Sequence, residues 1–182
     1  KLNQFPEDIF VSFADFEGEW TSPEKLAFCE GQYNEATIGV SSDERRIYVY
    51  EDQSGGGDIY YSDFQGNKFD ELSKLDYNDV NTKYWETHCT LTPDGQNMYF
   101  VSDRPGGYGG RDIYRIVRLP NGEWSKAQNM GPTINTPYDE DSPFIAVNNK
   151  TLYYSSNGEQ SMGGFDVFVT FRNEDNVFSE PT

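Results

Sequence analysis

The sequence predicts an all-β chain built as a β-propeller of four-stranded antiparallel blades, and three observations predict it. First, an Asp followed by an apolar and an aromatic residue recurs at Asp8, Asp58, Asp112 and Asp166, at spacings of 50, 54 and 54 residues. Second, the strings SSDERRIYVY (41–50), TPDGQNMYFV (92–101) and VNNKTLYYSS (147–156) precede the last three of these, with Tyr48, Tyr99 and Tyr153 in register. Third, aromatic residues make up 16% of the chain beside 17 Gly and 9 Pro, the composition of many short strands and many turns.

Each repeat reads as four strands in order. Strand a precedes the tight turn, as in Thr87–Leu91 and Ser142–Ala146. The turn is clearest at Pro93-Asp94-Gly95: Pro presets φ, Asp bonds its own backbone, and Gly accepts positive φ. Strand b follows at Asn97–Ser102 and Thr151–Ser155, and strand c at Asp112–Val117 and Asp166–Phe171. Strand d carries Trp20, Phe69, Trp124 or Phe178, eleven or twelve residues after the Asp, and ends near Leu26 or Asn129. Units of this length with four short strands define propeller blades. A β-sandwich gives no reason for such a period, and solenoid coils are shorter. Residues 35–80 and 86–135 form whole blades, while 1–30 and 140–182 form partial ones. The sum is about three and a half blades. The usual range is four to eight, so the expectation is part of a larger propeller, or one closed by another chain.

Composition narrows the function. The 182 residues carry 31 acids against 14 bases, a net charge of −17. That argues against nucleic acid and anionic membranes as partners, since both are polyanions. Apolar runs reach only four or five residues, far short of the roughly 20 a spanning helix needs. Residues 1–15 hold no apolar signal-peptide core, so an exported protein is expected to begin, in this sequence, after its cleavage point or well inside a longer chain. Cys29 and Cys89 occupy non-equivalent places in the repeat and read as free thiols.

The string TPDGQNMYFVSDRPGGYGGRDIYR, continued by GEWSKAQNMGPTINTPYDE, resembles the WD40-like, TolB-type propeller repeat. The variant with SDRPGG, DIY and INT is similar to repeats of OmpA-family envelope proteins of Bacteroidota, some of which belong to the type IX secretion machinery. The likeness covers nearly the whole chain. It implies a non-enzymatic, periplasmic or outer-membrane-associated scaffold whose partners are other envelope proteins. It also implies that peptidoglycan is reached only through a domain absent from this chain.

Glu35, Glu86 and Glu140 each open strand a. They read either as a carboxylate ring for a cation or basic peptide, or as a repeated structural clasp with the upstream Asn81 and Asn135. Asp58, Asp112 and Asp166 follow Gly-rich loops. They read as acceptors for turn backbone, with Ca²⁺ in the loops as the alternative, although no EF-hand pattern is present. No catalytic residue, cofactor or metal ligand is assigned. His88 and Cys89 are adjacent and face opposite sides of a strand, and Ser161 lacks a nucleophile-elbow context. Trp20, Trp124 and the Tyr48, Tyr99, Tyr153 series repeat with the blade, and most of them are expected to pack between sheets. Aromatics the repeat does not require are the candidate partner contacts: Tyr84, Trp85, Tyr108 and Tyr138. The alternative function is a carbohydrate-binding or glycan-processing propeller.

Overall fold

The computed structural model describes residues 6–29, 31, 33–52, 56–77 and 79–182. Among the described residues, thirteen strands form four antiparallel sheets. The first blade contributes β1 (Phe10–Val11) and β2 (Glu24–Lys25). The second is β3 (Glu35–Val40), β4 (Arg46–Glu51), β5 (Asp58–Asp63) and β6 (Ser73–Lys74), hydrogen-bonded in that order. The third is β7 (Glu86–Leu91), β8 (Asn97–Ser102), β9 (Asp112–Val117) and β10 (Gln128–Asn129), again in sequence order. The fourth holds β11 (Glu140–Ile145), β12 (Thr151–Ser156) and β13 (Asp166–Phe171). The chain is thus an arc of a β-propeller, with about three and a half blades.

The blades stack face to face, and this explains the b strands. Met98, Tyr99, Phe100 and Val101 are all fully buried although side chains alternate along a strand. Met98 and Phe100 enter a core shared with the second blade's Tyr48 and Ile59. Tyr99 and Val101 enter the core shared with Leu152 and Tyr154 of the fourth. A third core joins Leu26 and Cys29 of the first blade to Ile47 and Val49 of the second. A continuous apolar run is what a strand buried on both faces requires.

Where the arc stops, the repeat misleads. Trp124 stacks on Tyr77 at 4.9 Å between ring centres, as a packed position should. Its counterpart Trp20 is 70% exposed, and Tyr153 is 41% exposed while Tyr48 and Tyr99 are buried. Trp20 and Tyr153 therefore do not pack between sheets as their repeat position suggests. The outer face of the fourth blade also presents Phe144, Val167 and Phe171 to solvent.

The a–b turns show local chemistry plainly. Asp94 Oδ1 accepts from Gln96 N at 2.9 Å and from Thr92 Oγ1 at 2.6 Å, and Gly95 sits at φ 65°. The equivalent Glu44 holds φ 58°. That left-handed conformation costs a residue with a Cβ about 1 kcal/mol. Glu44→Gly is therefore expected to stabilise the chain by up to about 1 kcal/mol, or to be neutral after glycine's entropic cost. A loss beyond about 1 kcal/mol in urea unfolding would contradict this strain.

Candidate functional site

Antiparallel order places the start of strand a, the end of b, the start of c and the end of d at one end of every blade. The long b–c loops and the linkers between blades gather there. The tight a–b and c–d turns gather at the opposite end.

At the loop end, the blades are fastened by repeated acids and amides. Glu86 Oε2 accepts from Thr82 N at 3.0 Å, and its Oε1 accepts from Thr82 Oγ1 at 2.9 Å, Ser102 Oγ at 2.8 Å and Arg104 Nη2 at 3.1 Å. Glu140 repeats this with Thr136 N at 2.9 Å, Thr136 Oγ1 at 2.6 Å and Ser156 Oγ at 2.9 Å. Both side chains are fully buried, so neither lies open to a channel. Burial pushes both carboxyls up, against the pull of these hydrogen bonds. Asn81 and Asn135 bracket strand c: Asn135 Oδ1 accepts from Ile113 N at 2.8 Å and its Nδ2 donates to Ile113 O at 2.9 Å. Asn81 does the same to Ile59.

Asp112 is buried, and its oxygens accept from Tyr108 N at 2.6 Å, Gly109 N at 3.1 Å and Asn129 Nδ2 at 2.7 Å. Asp166 accepts from Met162 N at 2.5 Å, and Asp58 pairs with Lys74 at 2.7 Å. These three N–H donors take up most of the roughly four acceptor sites of the Asp112 carboxylate. Part of the first Gly-rich loop, 53–55, lies outside the described residues.

Glu35 differs. It is 3% exposed, and its Oε2 has no hydrogen-bond partner among the described residues. Burial, and then the charge of Glu51 beside it, push its carboxyl up to about 7. The clasp partners are missing: Gly31 stands where the other repeats have Thr82 and Thr136. Glu51, the strand partner of Glu35, stands where they have Ser102 and Ser156.

The nonrepeating aromatics sit at this same end. Trp85, Tyr108 and Tyr138 are 43%, 50% and 40% exposed, while Tyr84 is half-buried with its N–H on Thr82 Oγ1 at 3.1 Å. Trp85 is held by its indole N–H, which donates to Tyr50 OH at 2.9 Å. Tyr138 O accepts from Gly110 N at 3.2 Å, which ties the Tyr108 loop to the next linker. Any Cβ on Gly109 would lie 1.8 Å from Tyr138 O, so only glycine fits there.

The sequence reading missed the charged centre of this surface. Arg111 lies over Trp85 at 5.8 Å and Phe165 at 5.4 Å from the ring centres. Its guanidinium pairs with Asp141, and with Asp139 at 3.5 Å. His88 Nδ1 lies 2.7 Å from the other Asp141 oxygen. Burial alone would raise the Asp141 carboxyl, yet His88 and Arg111 hold it below its ordinary range. The strand bulge between Glu86 and Cys89, and another between Asp141 and Phe144 that takes in Pro143, aim these groups at one another. The available signal was departure from the repeat: Asp141 aligns with Thr87 and Ala36.

Two depressions flank this centre. One of about 200 Å³ is mainly apolar, between Ile38, Tyr50, Trp85, His88 and Arg111. A larger one of about 380 Å³ lies between Tyr138, Tyr154, Phe168, Glu159 and Glu180. Cys29 and Cys89 are free and buried, as the sequence led one to expect. Cys89 belongs to the core between the second and third blades, and burial pushes its thiol up.

The antiparallel four-stranded blades define an arc of a β-propeller. The chain superposes on TolB from Acinetobacter baumannii with a TM-score of 0.56 at 14% identity, covering 94% of this chain and 37% of that one. A protein described as TolB from Agrobacterium tumefaciens matches with a TM-score of 0.57 at 16% identity, over 93% of this chain and 59% of that one. The tricorn protease also matches, with a TM-score of 0.50 at 12% identity, over 96% of this chain and 20% of that one. At these identities the likeness is one of fold. The chain spans between about a third and three-fifths of the TolB chains it matches. No protein-family model matches it, and no curated protein does.

Proposed function

We propose that this chain is a non-enzymatic docking scaffold of the bacterial cell envelope, and that it binds other envelope proteins through the loop end of its blades. One observation carries the reading: Trp85, Tyr108 and Tyr138 stand exposed at one end of the scaffold, and Trp85 lines an apolar depression together with a neutralised Arg111. Rigid aromatic anchors beside pockets are the usual energetic centres of protein interfaces. The net charge of −17 favours a basic partner and fast, salt-dependent encounter. The nucleophile candidates are otherwise engaged: both thiols are buried, His88 faces Asp141, and Ser161 Oγ donates to Ser156 O at 2.6 Å. The resemblance to OmpA-family repeats of Bacteroidota supports a periplasmic or outer-membrane-associated setting, with the type IX secretion machinery as the finer assignment. No nucleic acid, membrane insertion or cofactor enters this reading.

The second reading, carbohydrate binding, is favoured by the larger depression. There Tyr138 and Phe168 present rings beside Glu159 and Glu180, a combination that suits stacking on sugars.

A photo-crosslinking side chain at position 108, and separately at position 121 on the opposite end, separates the readings. Crosslinking of a specific outer-membrane or peptidoglycan-associated protein from position 108 but not 121, weakened at least about 10-fold by Tyr138→Ala, is the expected result. Equal crosslinking from both positions, or binding only to glycan on an array, overturns the scaffold reading.

A further inference from the structure

A cluster of potential metal-ligating side chains lies at the junction of the first two blades, at the same loop end as the docking surface just described. A carboxylate oxygen of Asp8, the Cys29 sulfur and a carboxylate oxygen of Glu35 all lie within 4.8 Å of one another. They come from three places in the fold. Asp8 precedes β1, Cys29 follows β2, and Glu35 opens β3. Cys29 is fully buried and Glu35 nearly so, while the Asp8 side chain keeps about a quarter of its exposure. The trio therefore has a buried floor and one open side.

The same three positions recur at the next two junctions as Asp58, Val80, Glu86 and as Asp112, Ile134, Glu140. There the middle residue is aliphatic and the Glu is fully bonded in its clasp. Only the first junction combines a thiol at the middle position, a Glu stripped of its Thr and Ser partners, and a second carboxylate alongside. An unpartnered buried carboxylate oxygen costs free energy unless something completes it. Among the described residues, Glu35 Oε2 is such an atom. Backbone support for the sulfur is also in place, since Ile9 N donates to Cys29 Sγ at 3.4 Å. Such donors commonly orient and tune a ligating thiolate.

We infer that Asp8, Cys29 and Glu35 form a binding site for a divalent cation of the zinc class, with water completing a tetrahedral set. Tetrahedral Zn²⁺ bonds of about 2.0 Å to oxygen and 2.3 Å to sulfur place ligand atoms about 3.3–3.5 Å apart. From the 4.8 Å limit, a contraction of at most about 1.3–1.5 Å brings the trio there, within reach of side-chain rotations. One thiolate with two carboxylates suits a borderline-soft ion. It does not suit Ca²⁺ or Mg²⁺, which take six or more oxygens. Binding expels the Cys29 thiol proton, and the Glu35 proton where present, to solvent. Lys25 Nζ, now 2.8 Å from Asp8 Oδ1, moves aside or keeps the non-ligating oxygen.

Titration of the reduced, metal-free chain with Co²⁺ tests the site, because a thiolate ligand gives a near-ultraviolet charge-transfer band. One equivalent is expected to develop that band, Zn²⁺ to abolish it by competition, and Ca²⁺ to leave it unchanged. Zn²⁺ is also expected to raise the melting temperature by mass action. Cys29→Ser should lose the band entirely. Glu35→Gln and Asp8→Asn, which leave the core intact, should each weaken Zn²⁺ binding by at least about 10-fold. Cys89→Ser should keep the band. No band in the wild-type chain, a band surviving Cys29→Ser, or undiminished affinity in Glu35→Gln would overturn the site.

Discussion

Glu86→Ala is expected to destabilise the chain by about 3–5 kcal/mol, the cost of breaking a buried ion pair from one side. Arg104 would lose its partner while its side chain stays largely buried. Thr82 N–H, Thr82 Oγ1 and Ser102 Oγ would lose their acceptor in a site water does not reach. The pH response is cleaner at the equivalent Glu140, which has no cationic partner and has Asp112 nearby. Burial raises the Glu140 carboxyl in the folded chain. A raised folded-state value means stability fully present below the unfolded value of about 4.3 and lost as pH rises through the folded one. Glu140→Gln lacks that loss, so its stability relative to wild type should climb as pH rises from about 4 towards neutrality. Urea unfolding of wild type, Glu86→Ala and Glu140→Gln across that range gives all the values. An alanine cost below about 1 kcal/mol, or a Gln difference flat in pH, would show that the clasp does not hold the blades together.

The parts of the fold that were legible share a physical cause. Strands Asn97–Ser102, Asp112–Val117 and Asp166–Phe171 have the bounds the repeat suggested. In the third blade strands b and c are pressed between neighbouring blades and must be apolar or aromatic on both faces, and the fourth blade keeps that apolar pattern although Val167 and Phe171 are exposed. Strand d was harder to see. Regular pairing in the third blade is confined to Gln128–Asn129, and Trp124 pairs only through an isolated bridge to Arg118. An outer edge strand is polar and short, so it leaves little pattern. Trp20 and Tyr153 depart from the repeat because periodicity assumes a neighbouring blade on each side, and among the described residues no blade covers either of them. At the candidate site, the exposed Trp85, Tyr108 and Tyr138 were legible as residues the repeat does not need. Arg111 and His88 were not, because strand bulges rather than alternation bring them to Asp141. The Asp8, Cys29 and Glu35 trio was hidden for a related reason. Glu35 fits the repeat perfectly, and only the substitution of its partners by Gly31 and Glu51 sets it apart.

Asp141→Ala is expected to cost a further 3–5 kcal/mol, about as much as the clasp, and to disturb the docking surface as well. Asp141 belongs to the inner strand of the fourth blade, while Thr87 and His88 belong to that of the third. Its carboxylate takes Thr87 Oγ1 at 3.3 Å, His88 Nδ1 at 2.7 Å, Arg111 and its neighbour's Ser142 N at 2.7 Å. One buried anion thus joins two blades and fixes the guanidinium beneath Trp85 and Phe165. Its folded-state value is lowered, so this contribution is present above the unfolded value of about 3.9 and is lost as pH falls through the folded one. Asp141→Asn keeps the shape and removes the charge. Its deficit should be largest near neutral pH and should close as acid protonates the wild-type carboxylate. Indole fluorescence reports the local effect, since a freed Arg111 alters the surroundings of Trp85. A deficit unchanged by acid would assign the bond to shape rather than charge. Unaltered fluorescence with full stability would show that Arg111 is held by Asp139 alone. The two outcomes lead to different docking surfaces: a rigid neutralised arginine between two rings, or a mobile cation free to meet an acidic partner.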